Sequence, residues 1–315
     1  MILALAGGVG GARLARGLAQ LLGADELAIA VNVGDDFEHL GLSISPDLDT
    51  VMYTLAEIHD PDAGWGRADE TWYFMETLAQ LGGETWFRLG DRDMAVHVER
   101  TRRLHAGETL SAVTADFCAR LGILHVITPV TDMPLRTIVQ TDAGDLGFQD
   151  YFVRRRCQPG VHGFRFEGAD TALPSPPLAR LIETGGISGV VICPSNPWLS
   201  VAPIVAIAAL RALLESKSVP VVAVSPIVAG DAVKGPAAKV MRELGIEISA
   251  LAVTQHYGGL VDGWIIDARD AHLEPEIAAL GLAVASVDTL MTSPQKSRQV
   301  AEASLLLMQR IASSG

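Results

Sequence analysis

Cysteine is scarce in this 315-residue chain. There are three, Cys118, Cys157 and Cys193, far apart and with no C-x-x-C among them. That spacing excludes a zinc ribbon and a disulfide framework, and it points to a reducing, cytoplasmic compartment. Charge is sparse too, at 19% of residues against a usual share of about 25%. What charge there is leans acidic, with 24 Lys and Arg against 37 Asp and Glu and a net charge of −13. Binding nucleic acid through a general basic field is therefore excluded, and any phosphate site has to be assembled locally. The opening MILALA lacks the basic region of a signal peptide. The longest apolar helical stretch, LSVAPIVAIAALRALL, is broken by Pro203 and Arg211, so it reads as a core helix and not a membrane span. Familiar catalytic signatures are missing as well: there is no G-x-S-x-G and no H-E-x-x-H.

What is present is a large apolar share, 49%, in a chain long enough for one substantial core and an inserted lobe. An excess of this kind leads us to expect a homo-oligomer, most simply a homodimer. Short runs rich in Val and Ile recur at Ile2–Ala6, Leu27–Val33, His125–Val130, Gly189–Cys193, Val219–Val224 and Leu282–Val287. They are nearly continuous rather than alternating, as strands covered on both faces are. Helical patterns at Arg13–Leu22, Val201–Glu215, Ala237–Leu244 and Pro294–Ile311 stand between or after them. The alternation predicts an α/β fold with a doubly wound, Rossmann-like parallel sheet. Residues 37–122 differ, with helical stretches at Asp47–Ile58, Glu70–Gly82, Asp93–Leu104 and Leu110–Leu121. They read as a helical insertion beside a core made of 1–36 and 123–315. The stretch TIVQTDAGDLGFQDYFVRRR reads as a β-hairpin turning at Asp142–Asp145.

Each strand runs into a polar or glycine cluster. The first is followed by GGVGG, the second by NVGDD, GVVIC by PSNP, and VPVVAV by SPIVAG. Ligands of an open parallel sheet bind beyond the carboxyl ends of its strands, so the clusters predict one shared crevice. The glycine turn fits no standard phosphate loop. A G-x-G-x-x-G from Gly8 would need glycine at Arg13, and no Lys follows as a P-loop requires. Its glycines and the helix behind them still suit an anion, with Arg13 available to add a charge or to lie on a solvated face. The proline-flanked Ser195, Asn196 and Ser225 suit helix starts.

The acids are more specific. Ser45 reads as a helix cap with Asp47 in the first turn, whereas Asp49 sits deeper in an apolar helix, where a carboxylate needs a partner, a metal or a ligand. Carboxylates beside bound phosphates are what Mg²⁺ requires. Arg88 and Arg92 bracket a Gly-Asp turn of the kind that reaches into a site, while Arg100, Arg102 and Arg103 read as a charged helix face.

In order along nearly the whole chain, GGVGGARL, NVGDDFEHLGLSISPDLDTVMYTL, GWG, LGDRDMAVHVERT, FQDYFVRRR, PSNPWLSVAPI, SPIVAGDAVKGPAAKVM and TLMTSPQKS resemble the 2-phospho-L-lactate transferases of coenzyme F-420 biosynthesis. The resemblance implies transfer of a phospho-acid group (2-phospho-L-lactate, or its phosphoenolpyruvate or phosphoglycerate equivalent) from a guanosine diphosphate donor to the deazaflavin Fo. GMP leaves, and Mg²⁺ is the cofactor. Carried over by position, Gly8, Gly10, Gly11, Asn32, Ser195, Asn196, Pro197, Ser225 and Gly230 would bind nucleotide. Asp49, Arg88 and Arg92 would bind Fo in a pocket formed by the insertion. Asp35 and Asp49 would hold the metal, with Asp36 and Asp47 in reserve, and Asp49 would serve as the base. A non-catalytic regulator that binds nucleotide sugars with the same fold is the alternative.

Overall fold

The computed structural model describes residues 1–314. Its centre is a sheet of seven strands, all parallel, in the order Ala283–Val287, Gly263–Asp267, Val221–Val224, Gly189–Ile192, β1 (Ile2–Ala6), β2 (Leu27–Val31) and Val126–Pro129. The inner strands are almost wholly buried, which is why their sequences run apolar without alternation. The strand Gly263–Asp267 (GWIID) is one the sequence reading does not anticipate, and it fills the place between Val221–Val224 and the edge. The chain turns back across the sheet between β1 and Gly189–Ile192, and that reversal opens the crevice of a doubly wound fold.

Helix α1 (Gly8–Ala19) starts five residues earlier than its apolar pattern predicts, because the glycine turn is itself the first helical turn. Gly8 has φ +62, which a side chain disfavours. Gly10 lies where a Cβ would come 2.5 Å from the Pro194 carbonyl oxygen. The helix is thereby pressed directly onto the loop after Gly189–Ile192. Further along, Gly17 lets α1 cross the C-terminal helix Pro294–Ser314 at backbone distance from Ser297.

Between β2 and Val126–Pro129 come a short hairpin, Phe37–His39 with Leu42–Ile44, and four helices: α2 (Pro46–Leu55), α3 (Tyr73–Gln80), α4 (Asp91–His105) and α5 (Leu110–Arg120). This span divides between two cores. Leu48, Val51, Met52 and Tyr53 of α2 join the main core, while Ile44, Met75 and Leu89 form a small second one with Phe37, Trp72, Phe87 and Met94. The expected hairpin is present as Arg136–Thr141 paired with Gly144–Gly147, and Val161–Glu167 adds a third antiparallel strand. The stretch read as one helix over Val201–Glu215 is broken: Ile207 is extended, and Pro197–Val205 meets Ala208–Glu215 at 93°. No single helix among the described residues is long and apolar enough to cross a membrane.

Candidate active site at the sheet crossover

At the crossover, hydrogen bonds join the ends of β1, β2 and Gly189–Ile192 to α2. The Ser195 hydroxyl donates to the Gly7 carbonyl oxygen at 2.8 Å and accepts from the Gly7 amide at 3.0 Å, which ties the β1 turn to its neighbour. The Gly8 amide donates to Asp47 Oδ1 at 2.7 Å. Asn32, fully buried at the end of β2, donates from Nδ2 both to Asp47 Oδ2 (3.0 Å) and to Asp35 Oδ1 (3.2 Å). Its own oxygen takes the Gly34 amide, which fixes the amide's orientation. Thus Gly8, Asn32, Asp35 and Ser195 meet as the sequence predicts, and Asp47, read from sequence as a first-turn residue, joins them.

Asp35, Asp36 and Asp47 are all buried. Burial pushes Asp36 up to about 7 and Asp47 to about 6. Asp35 is raised well above the usual carboxylate range, first by burial and then by Asp47 and Asp36 beside it. Their polar neighbours are few. Ser45 Oγ donates to Asp36 Oδ2 at 2.8 Å, Gln149 Nε2 reaches Asp35 Oδ2 at 3.4 Å, and Asp36 Oδ1 is buried with no partner. Ser45 therefore serves Asp36 and makes no side-chain cap for α2. Arg136 draws both Asp35 and Asp36 downward without reversing the shift. These buried hard-oxygen donors, short of positive charge, are of the type Mg²⁺ takes, but their ligand atoms do not converge within 4.8 Å as those of Asp49, Asp93 and His97 do.

Asp49 stands in a different environment. Its two oxygens meet the two terminal nitrogens of Arg100 on α4, Nη1 to Oδ2 at 3.0 Å and Nη2 to Oδ1. Both side chains are buried. The expectation that Arg100 lies on a solvated face is thus corrected. His97, Arg100 and Thr101 form the buried face of α4, while Arg102 is exposed and Arg103 pairs with Glu108 and Asp116. Around the pair, His97 Nδ1 lies 3.3 Å from Arg100 Nη1, His97 Nε2 lies 3.2 Å from Asp93 Oδ2, and Tyr53 Oη donates to Asp93 Oδ1 at 2.5 Å. Burial raises the Asp49 pKa, and Arg100 followed by His97 draws it back. Donor atoms of Asp49, Asp93 and His97 lie within 4.8 Å of one another. An imidazole and a guanidinium-bound carboxylate suit a hard cation less well than the oxygen set at Asp35.

Other predicted residues lie outside this hydrogen-bonded group. Asn196 caps the Pro197–Val201 turn through the amides of Trp198 and Leu199, and its Nδ2 is buried with no partner. Ser225 does not start a helix: it closes on Ile227, and Ala229–Gly230 turns a small hairpin. Arg88 is exposed and stacks 4.0 Å over Trp72. Arg92 is exposed, and its amide is taken by Glu70, which also accepts from the Asp93 amide at the start of α4. Asp91 in turn caps α3 through the amides of Tyr73 and Phe74. In the run Arg154–Arg156, Arg154 faces Glu84 and lies over Trp86, and Arg155 pairs with Asp150.

Residues 2–305 match the family model described as "2-phospho-L-lactate transferase CofD". The chain belongs to this family. Among its relatives, a phosphoenolpyruvate transferase of Streptomyces griseus is 40% identical over 316 residues, covering 98% of this chain and 99% of that protein. One from Mycolicibacterium smegmatis is 40% identical, covering 96% and 97%. A solved Bacillus halodurans protein shares the fold with a TM-score of 0.64 at 15% identity, covering 96% of this chain and 98% of that one. As a member of the 2-phospho-L-lactate transferase family, the chain is a transferase of the phospho-acid type, and open α/β sheets as a class bind ligands at such a crossover.

Proposed function

We propose that this chain moves a three-carbon phospho-acid group from a guanosine diphosphate donor to the ribityl hydroxyl of Fo in coenzyme F-420 biosynthesis, releasing GMP. The observation that carries this reading is the bonded run Gly8–Asp47–Asn32–Asp35, which couples a glycine turn to a buried acid set in a chain matching the family along its length. The names of the relatives favour enolpyruvate as the acid.

In this reading the amides of Val9 and Gly10, next to the Gly8 amide that Asp47 takes, face the donor diphosphate. Ser195, Asn196 and Pro197 form the nucleotide side with Ser225 and Gly230, and Arg88 and Arg92 lie on the Fo side. Asp35, with Asp36 and Asp47, would hold Mg²⁺, which supplies neutralisation of phosphate oxygens and a lower pKa for the acceptor hydroxyl. Transfer of this type requires in-line placement more than a protein nucleophile. Asp49, oriented by Arg100, accepts the proton of the hydroxyl. We place the enzyme in the cytoplasm as a homodimer, a state that size-exclusion chromatography with light scattering would read directly.

The test incubates the protein with Fo, Mg²⁺ and, separately, lactyl-, enolpyruvyl- and glyceryl-diphosphoguanosine. Mass spectrometry then looks for GMP and the phosphodiester. Product from the enolpyruvyl donor is expected. No product in any tube, with tight binding of a uridine diphosphate sugar, would move the assignment to the regulator.

A further inference from the structure

Val9, Arg13 and Arg16 are spaced four and three residues apart, so they share one face of α1. The segment 59–67 covers that face. It folds back on itself through the His59–Arg67 bridge and the Gly64 amide bond to Asp60 O. The Asp60 carboxylate is occupied within the segment by the amides of Asp62 and Ala63. Lys234 reaches across from another loop, its Nζ donating to Ala63 O at 3.0 Å. At Gly64 a Cβ would come 2.7 Å from Val9 Cγ1 and 3.3 Å from Lys234 Nζ, so this ammonium hangs beside the first turn of α1. Side chains on a helix lean towards its N-terminus, which carries Arg13 towards the same point.

These cations are poorly matched. Arg13 is half-buried and makes no hydrogen bond or ion pair with any described residue. Arg16 Nε is buried with no partner. Burial first and then Arg13 hold the Lys234 ammonium below its usual range, and burial, Arg16 and Arg13 do the same to His59. Glu57 and Asp60 offset only part of this charge. In a protein of net charge −13, positive groups gathered without equal counter-charge beside a glycine turn are a built receptor for an anion.

We propose that Arg13 and Lys234, with Arg16 and His59 behind them, form a subsite for the carboxylate of the three-carbon acid on the donor. The assignment rests on the donor reading above. The amides of Val9 and Gly10 take the diphosphate, and the acid carries a further negative charge beyond it. A planar guanidinium matches a carboxylate in two hydrogen bonds, while an ammonium adds a point charge. The subsite would separate donors bearing an acid from the plain nucleotide.

Calorimetry with GDP and with enolpyruvyl-diphosphoguanosine on the wild type, Arg13→Met and Lys234→Gln tests this. Lys234 is exposed, so its truncation leaves the fold intact, and a thermal melt checks both variants. The expected result is a loss of about tenfold or more for the acid-bearing donor, with GDP affinity held within about twofold, since each tenfold step reflects one lost charge-assisted contact. Equal loss of both ligands with an unchanged melt would assign these cations to the diphosphate and overturn the proposal, as would no loss of either. A wild type that binds neither ligand would overturn the donor reading itself, and the subsite with it.

Discussion

At the scale of the residue, the two sets of carboxylates are held by opposite means. Asp49 is neutralised by a buried guanidinium, so removing Arg100 leaves an uncompensated buried charge, a change that costs about 3–5 kcal/mol in comparable pairs. We expect Arg100→Met to destabilise the protein on that scale in urea unfolding, and Arg100→Met with Asp49→Leu to recover most of the loss. A double variant no more stable than the single would show that the pair is not the source. Asp35 is the reverse case. Burial and its neighbours already penalise its charged form, so Asp35→Asn should raise the melting temperature of the metal-free protein while abolishing transfer. An unchanged rate with Mg²⁺ would remove Asp35 from the metal set. The sequence shows that Asp49 needs a partner, because a carboxylate in an apolar helix does. It does not name Arg100, which lies 51 residues away in the chain. The one local sign is the His97–Arg100–Thr101 stripe, three and four residues apart on a single helix face.

At the scale of the element, the glycine turn is constrained more by its neighbours than by its own backbone. Gly8 needs a positive φ, yet a Cβ there meets only Asp47 Oδ1 at 4.0 Å. Gly10 has an ordinary φ, yet a Cβ there runs into the Pro194 carbonyl oxygen at 2.5 Å. Strain at a left-handed position costs about 1–2 kcal/mol, whereas a clash with backbone costs about 1–3 kcal/mol because the loop itself must move. Gly10→Ala should therefore lower stability and GDP affinity more than Gly8→Ala, as thermal melts and calorimetry would show; the opposite order would mean that the turn is set by backbone conformation alone. The early start of α1 has the same origin. The apolar periodicity begins at Arg13, but the close approach of Gly10 to Pro194 and of Gly11 to Ser195 sets the first turn several residues earlier.

At the scale of the whole molecule, the raised carboxylates link stability to pH and to metal. Asp36 titrates at about 7 and Asp47 at about 6 in the folded chain, against an ordinary aspartate value of about 4. Between about pH 4 and pH 7 the folded state thus binds more protons than the unfolded one, and stability falls as pH rises through that window. A cation held by these groups favours their charged forms and removes the penalty. The melting temperature without metal should decline from pH 5 to pH 7.5, and Mg²⁺ should raise it more at pH 7.5 than at pH 5. A metal-free melting temperature that is flat or rising would contradict the electrostatic reading of this cluster.

Local pattern alone determined six of the seven strands of the central sheet, most helices and the polar clusters that follow them, because burial on both faces writes continuous apolar runs and turns write glycine, proline and capping residues. The parallel, doubly wound class follows from that alternation. The pairings came only with tertiary structure: Asp47 on the Gly8 amide, Arg100 on Asp49, and Lys234 over the 59–67 segment. So did the strand Gly263–Asp267 and the division of residues 37–122 between two cores. The physical reason is common to all of these. A buried charge or a short apolar run states a need for a partner, and the partner is chosen by which distant segments the sheet order brings side by side.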